Sequence, residues 1–192
     1  MTVLLDCLLA LEQTLARLDR RVIALLQSGL ARTEIEAGLS LRRLPLIPDH
    51  TTMYGWRNGT DATTGAVLGD LSLVPGFYLL SLDDALTNYD ALTKSDRWDT
   101  AWLPILANGG GDFLALQLPS GDAIGGDVCH FRIEYDEHPV EYRSISDMFA
   151  TFLTAYDQGI FFVDDDGHLE MDDAAYSVLA AAMNPEISWW SG

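Results

Sequence analysis

Leucines recur at three- and four-residue steps through Leu4, Leu5, Leu8, Leu11, Leu15 and Leu18, and Val22, Leu25 and Leu26 continue the run. Apolar residues at that period line one face of a helix, and Gly29 is its predicted stop. Thr33 and Glu36 have the spacing of a reciprocal N-terminal cap, which predicts a short second helix ending near Gly38. Asp49, after Pro48, is the expected cap of a helix bearing Met53, Tyr54 and Trp56 and closed by Asn58-Gly59. The pattern then changes. Residues 77–80, 102–106, 113–118, 128–133 and 140–143 are short apolar or alternating runs bounded by turn residues, and read as strands. Ser81 with Asp84 opens a helix toward Trp98. Ser144 with Asp147 opens another, in which Ile145, Met148, Phe149, Phe152 and Leu153 repeat at helical spacing. Residues 160–163 and 168–171 predict a closing hairpin, and the Ala-rich residues 172–183 a last helix before Pro185. Strands joined by short turns with helices around them predict an α+β fold, a mostly antiparallel central sheet flanked by helices. The expected organisation is a helical N-terminal segment over 1–38 followed by a single α+β domain over 39–192.

Asn108-Gly109-Gly110-Gly111-Asp112 raises the question of a phosphate-binding loop. Such a loop needs a following Lys and Ser/Thr, to neutralise phosphate and hold Mg²⁺. Here an acid follows instead. A dinucleotide fingerprint needs a helix after the glycines, whereas residues 113–118 read as a strand. The segment therefore reads as a turn between two strands, with glycine supplying positive φ.

Charge sharpens the picture. The 192 residues carry a formal net charge of −18, unevenly spread. Residues 1–43 hold six arginines and five acids, while residues 44–192 hold five Lys/Arg and 24 acids. Such a field repels nucleic acid and anionic membranes, and it attracts basic partners. Two cysteines, Cys7 and Cys129, make no disulfide framework and suit a reducing, cytoplasmic setting. The opening residues, Met1-Thr2-Val3-Leu4-Leu5-Asp6, lack the basic n-region of a signal peptide. No apolar run approaches the roughly 18–20 residues of a membrane span.

Candidate chemistry is sparse. Cys129-His130 resembles a nucleophile–base pair, but neighbours on a strand point to opposite faces. The four histidines, 50, 130, 138 and 168, show no metal-ligand spacing. Asp164-Asp165-Asp166-Gly167 resembles part of a calcium loop, but position one would be Phe162 and position twelve Asp173. It reads as a hairpin turn. The expectation is no catalytic residue, no cofactor and no metal. The acids Asp157, Asp164, Asp165, Asp166, Glu170, Asp172 and Asp173, with no Lys or Arg among them in sequence, form the densest negative stretch and are the candidate partner-binding residues. Trp189-Trp190 are either docked on the core or exposed anchors.

In order, Leu44-Pro45, Tyr54-Gly55-Trp56-Arg57-Asn58-Gly59, the run from Tyr78 to Ala85, Trp102-Leu103-Pro104-Ile105, the glycine–aspartate turn with Phe113-Leu114-Ala115-Leu116, and Tyr142-Arg143-Ser144-Ile145 resemble the SUKH superfamily. That superfamily includes the yeast cell-wall-synthesis regulator and many bacterial immunity proteins. The resemblance covers roughly residues 40–170. It implies an α+β domain without catalytic residues, in which the glycine–aspartate turn is a fold signature. It also implies a non-catalytic immunity protein that binds and neutralises a cognate toxin, often a nuclease. A nuclease is basic where it grips phosphate, so an acidic partner complements it. The alternative is a regulatory or scaffolding module. A metal-dependent enzyme built on the acidic hairpin ranks third. The identity of the partner and the oligomeric state stay open.

Overall fold

The computed structural model describes residues 3–121 and 124–191. The α+β expectation holds: among the described residues, eight helices surround antiparallel sheets. The leucine run splits in two. Helix α1 spans Val3–Arg17, the chain turns through Asp19 at φ 51, and a single helical turn, α2 (Val22–Leu25), leads into a strand, β1 (Leu26–Ser28). The expected helix to Gly29 fails because Leu26 is drawn into pairing with Thr60 of β2 (Arg57–Thr60). Gly29 is a contact point instead: a Cβ there would stand 2.0 Å from the Gly55 carbonyl oxygen. Periodicity sees only the chain itself, and these strands exist through distant partners.

Helix α3 spans Arg32–Ser40, two residues past Gly38. Its cap is not Thr33 with Glu36. The helix starts earlier, so Glu34 reaches back to the Ala31 N–H at 2.7 Å, and Glu36 pairs with Arg32 at 2.9 Å. Helix α4 (Pro48–Trp56) is capped by Ile47 rather than Asp49, because Pro48 fits the first helical position and places Asp49 within the first turn. A short helix, α5 (Leu68–Leu71), follows.

The central sheet is an antiparallel meander: β3 (Tyr78–Leu79), β4 (Trp102–Ala107), β5 (Phe113–Gln117), β6 (Val128–Phe131) and β7 (Val140–Tyr142) lie side by side in chain order. Pro104 sits next to a bulge in β4, where its missing N–H is tolerated. Helix α6 (Leu82–Leu92) is capped as its sequence predicts, Ser81 Oγ accepting from the Asp84 N–H at 3.0 Å. Helix α7 (Ile145–Asp157) is capped likewise, Ser144 Oγ accepting from the Asp147 N–H at 3.0 Å. The closing hairpin, β8 (Phe161–Val163) with β9 (Leu169–Met171), and helix α8 (Asp173–Met183) also match expectation.

Both faces of the sheet are covered. The register places Phe113, Ala115, Cys129 and Phe131 on one side and Leu114, Leu116, Val128 and His130 on the other. Trp98 covers the first side, its ring 5.0 Å from Phe131 and 6.0 Å from Phe113. Helix α7 lies over the second side and is itself covered by α1. Leu4, Leu8, Leu11 and Leu15 of α1 belong to the same buried core as Phe149 and Phe152. Three ion pairs bind the N-terminal elements to the rest: Glu12–Arg57 at 2.5 Å, Arg21–Asp70 at 2.6 Å and Arg42–Asp90 at 2.7 Å.

The glycine–aspartate turn is a staple of this sheet. Asn108 Oδ1 accepts from the N–H groups of Gly110 and Asp112 at 2.7 and 3.0 Å. Asp112 Oδ1 in turn accepts from the Ile133 N–H at 2.8 Å, fixing the end of β6. Gly111, at φ 109, leaves room for Ile133.

Candidate functional site

The β8–β9 hairpin presents most of the candidate acids. Asp165, Asp166, Glu170, Asp172 and Asp173 are exposed, as is Asp157 at the end of α7. Two of the set have structural duties. Asp164 Oδ1 accepts from the backbone N–H groups of His168 and Asp166 at 2.7 and 3.0 Å, bonds that hold its carboxyl below the usual range. Asp172 caps α8 by accepting from the Ala175 N–H at 3.0 Å. Among the described residues no ion pair engages Asp157, Asp165, Asp166, Glu170 or Asp173.

The acids do not converge on one patch. Asp157 borders a hollow with Arg17 and Leu18. Asp166 and Glu170 border another with Arg20 and Asp70, and Asp173 borders a third with Trp189 and Arg132. The stretch lacks cations in sequence but not in space. Arg20 donates to the Gly167 carbonyl at 2.9 Å and to the Gly69 carbonyl at 2.8 Å, placing a positive charge beside the hairpin turn. Asp164, Asp166 and His168 bring one potential metal-ligand atom each within 4.8 Å. They share one exposed loop, and calcium takes six to eight oxygen ligands.

The third hollow is lined by both apolar and polar side chains. It is a cavity of about 290 Å³ between the outer face of β6–β7 and the C-terminal elements. Phe77, Phe152, Phe161 and Trp190 supply apolar wall, and His130, Arg132 and Glu141 supply polar wall. His130 and Arg132 stand two residues apart on β6 and its extension, hence on one face. His130 Nδ1 meets Glu141 Oε1 at 2.9 Å, and the Glu141 side chain is only 9% exposed. The Arg132 guanidinium lies between two rings, 4.4 Å from the Tyr135 centroid and 5.0 Å from that of Trp189, and donates to the Glu137 carbonyl at 2.9 Å. Arg97 donates to the carbonyls of Ile133 and Tyr135. Burial, with Arg97 and Arg132 nearby, lowers the pKa of His138. Two of the five cations of residues 44–192 are thus gathered around one loop. Beneath them the Tyr142 and Tyr176 hydroxyls share a 2.6 Å hydrogen bond, and burial raises the pKa of both phenols.

The tryptophan pair divides. Trp190 donates to the Glu141 carbonyl at 2.7 Å and packs on Tyr142 and Tyr176, whereas Trp189 is 41% exposed at the cavity mouth. Cys129 and His130 do part to opposite faces, and burial raises the pKa of the Cys129 thiol. The cavity itself escaped sequence reasoning. Its one legible signal was a polar pair, His130 and Arg132, alternating along an otherwise apolar strand.

The model of the SMI1 / KNR4 family (SUKH-1) matches residues 34–155, from α3 through the central sheet into α7. The chain belongs to that family. No curated protein matches it. In this SUKH-1 chain the matched span contains the sheet wall of the cavity, while Met171, Asp173, Tyr176, Trp189 and Trp190 lie beyond it. The acidic hairpin lies beyond it as well. Among the described residues no helix is long and apolar enough to cross a membrane.

Proposed function

We propose that this SUKH-1 chain is a non-catalytic cytoplasmic immunity protein that binds and neutralises a basic toxin effector, a nuclease being the best electrostatic match. The observation that carries the reading is the charge of residues 44–192, five Lys/Arg against 24 acids, with exposed acids on the hairpin, Asp165, Asp166 and Glu170, that no ion pair engages among the described residues. Such a surface steers a basic partner and rejects nucleic acid itself. Family membership supports a domain whose function lies in its surface.

The test is co-expression with the product of the adjacent upstream gene, scored by survival and co-purification. Rescue with a stable complex that weakens steeply at high salt is the expected result. Reversing Asp165, Asp166 and Glu170 to Lys should weaken the complex about tenfold or more, as removing complementary interface charges does. Growth unaffected by the neighbour, with no complex, would move the reading to a regulatory or scaffolding module.

A further inference from the structure

We propose that the cavity between β6–β7 and α8 is a socket for a single tyrosine side chain of the protein partner. The inference rests on the reading of the chain as a partner-binding protein and names the contact. Two residues of the cavity wall each carry a side-chain nitrogen, His130 Nε2 and Arg132 Nε, that is shielded from water and has no hydrogen-bond partner among the described residues. A carboxylate only accepts, so Nδ1 of His130 carries the hydrogen shared with Glu141. Nε2 accepts where the ring is neutral and donates where it is charged, while Arg132 Nε is always a donor. A hydroxyl, which both gives and takes a hydrogen bond, satisfies the pair with the ring in either form.

The remaining wall narrows the choice. Phe77, Phe152, Phe161 and Trp190 favour a flat apolar body, and about 290 Å³ is room enough for an aromatic side chain. An anionic group would face Glu141 and Asp173, and a cationic one Arg132. A purely apolar ring would leave both orphans buried and unpaired, which is the unfavourable case. A phenol meets all of these demands, since its hydroxyl donates one bond and accepts others. Trp189 at the mouth is the kind of residue that anchors interfaces. Asp173 at the rim, followed along the hairpin by Asp172 and Glu170, would suit basic neighbours of that tyrosine. Entry requires Phe77, 5.5 Å from the His130 ring, and Trp189 to shift, a side-chain rearrangement of the kind common on binding.

The probes are N-acetyl-tyrosinamide and N-acetyl-phenylalaninamide, which differ by one hydroxyl, titrated into the full chain and followed by NMR. The expected result is that the tyrosine derivative shifts the His130 ring and the Trp189 and Trp190 indole signals, and binds roughly three- to tenfold more tightly, as one hydrogen bond would give. His130→Phe should level the two affinities, with its melting temperature recorded to exclude unfolding. Trp189→Ala, at a surface position, should weaken both. Equal affinities in the unaltered chain, or shifts away from the cavity, overturn the socket. A toxin complex that survives both variants but not the hairpin charge reversals also overturns it, while leaving the immunity reading intact. A tyrosine-selective socket without toxin rescue does the reverse.

Discussion

Two hairpins in this chain use the same residue types at their tips and do opposite things with them. Asn108–Asp112 and Asp164–Gly167 both combine acids with positive-φ glycine. In the first, the acid turns inward: Asp112 accepts from Asn108 Nδ2 at 2.9 Å and from the Ile133 N–H at 2.8 Å, and the glycines make room for that approach. In the second, only Asp164 is held by the turn, and Asp165 and Asp166 stay in solvent. Gly167 has nothing near its missing Cβ. Neighbours decide what such a turn does. A glycine–aspartate tip wedged against a strand end secures the fold, and the same tip facing water presents charge.

The sharpest way to break the comparison is to add bulk at each tip. Gly111→Val places a β-branched residue at φ 109 with its Cβ 2.7 Å from Ile133 Cδ1. It should cost about 3 kcal/mol, mostly from backbone strain. Gly167→Ala, also at positive φ (87°) but with open space around it, should cost only about 1 kcal/mol. Urea melts of both variants decide the matter, and equal losses would refute the contrast.

Titration extends the contrast between interior and surface. His50 is buried, and desolvation lowers its pKa from 6.5 to about 4. The unfolded chain therefore binds this proton more readily than the folded one. Stability from this group is complete above pH 6.5 and falls as pH drops toward 4, by about 3 kcal/mol. Denaturant melts between pH 7 and 4, compared with His50→Phe, should show that part of the acid sensitivity disappear in the variant. Acid sensitivity unchanged in His50→Phe would place it on other groups.

The smallest effect separates the two acids. Asp112→Ala removes the carboxylate that accepts from the Ile133 N–H and should cost about 2 kcal/mol, as losing a hydrogen bond to a charged group does. Asp166→Ala should stay within about 0.5 kcal/mol in stability, with its effect appearing in partner binding instead.

Much of the fold was legible in the residues. Ser81 with Asp84 and Ser144 with Asp147 located helix starts because a cap is a local bond between groups three residues apart. The sheet strands were legible because each is a short apolar run between turn residues. The failures have separate causes. Strand β1 and the role of Gly29 depend on β2 and Gly55, far along the chain. The capping error at Thr33–Glu36 came from two overlapping local patterns, of which Ala31–Glu34 formed. The acids were found as residues, but their division among three hollows, and the approach of Arg20, are tertiary facts.

By itself, the sequence determined the α+β class, the antiparallel character of the sheet and the acidic character, because periodicity, caps and charge are properties of neighbouring residues or of simple sums. Only the tertiary structure decided that His130, Arg132, Glu141 and the C-terminal tryptophans share one cavity. Those residues come from segments brought together by covering the sheet, and no local pattern along the chain records which side chains that covering leaves without a partner.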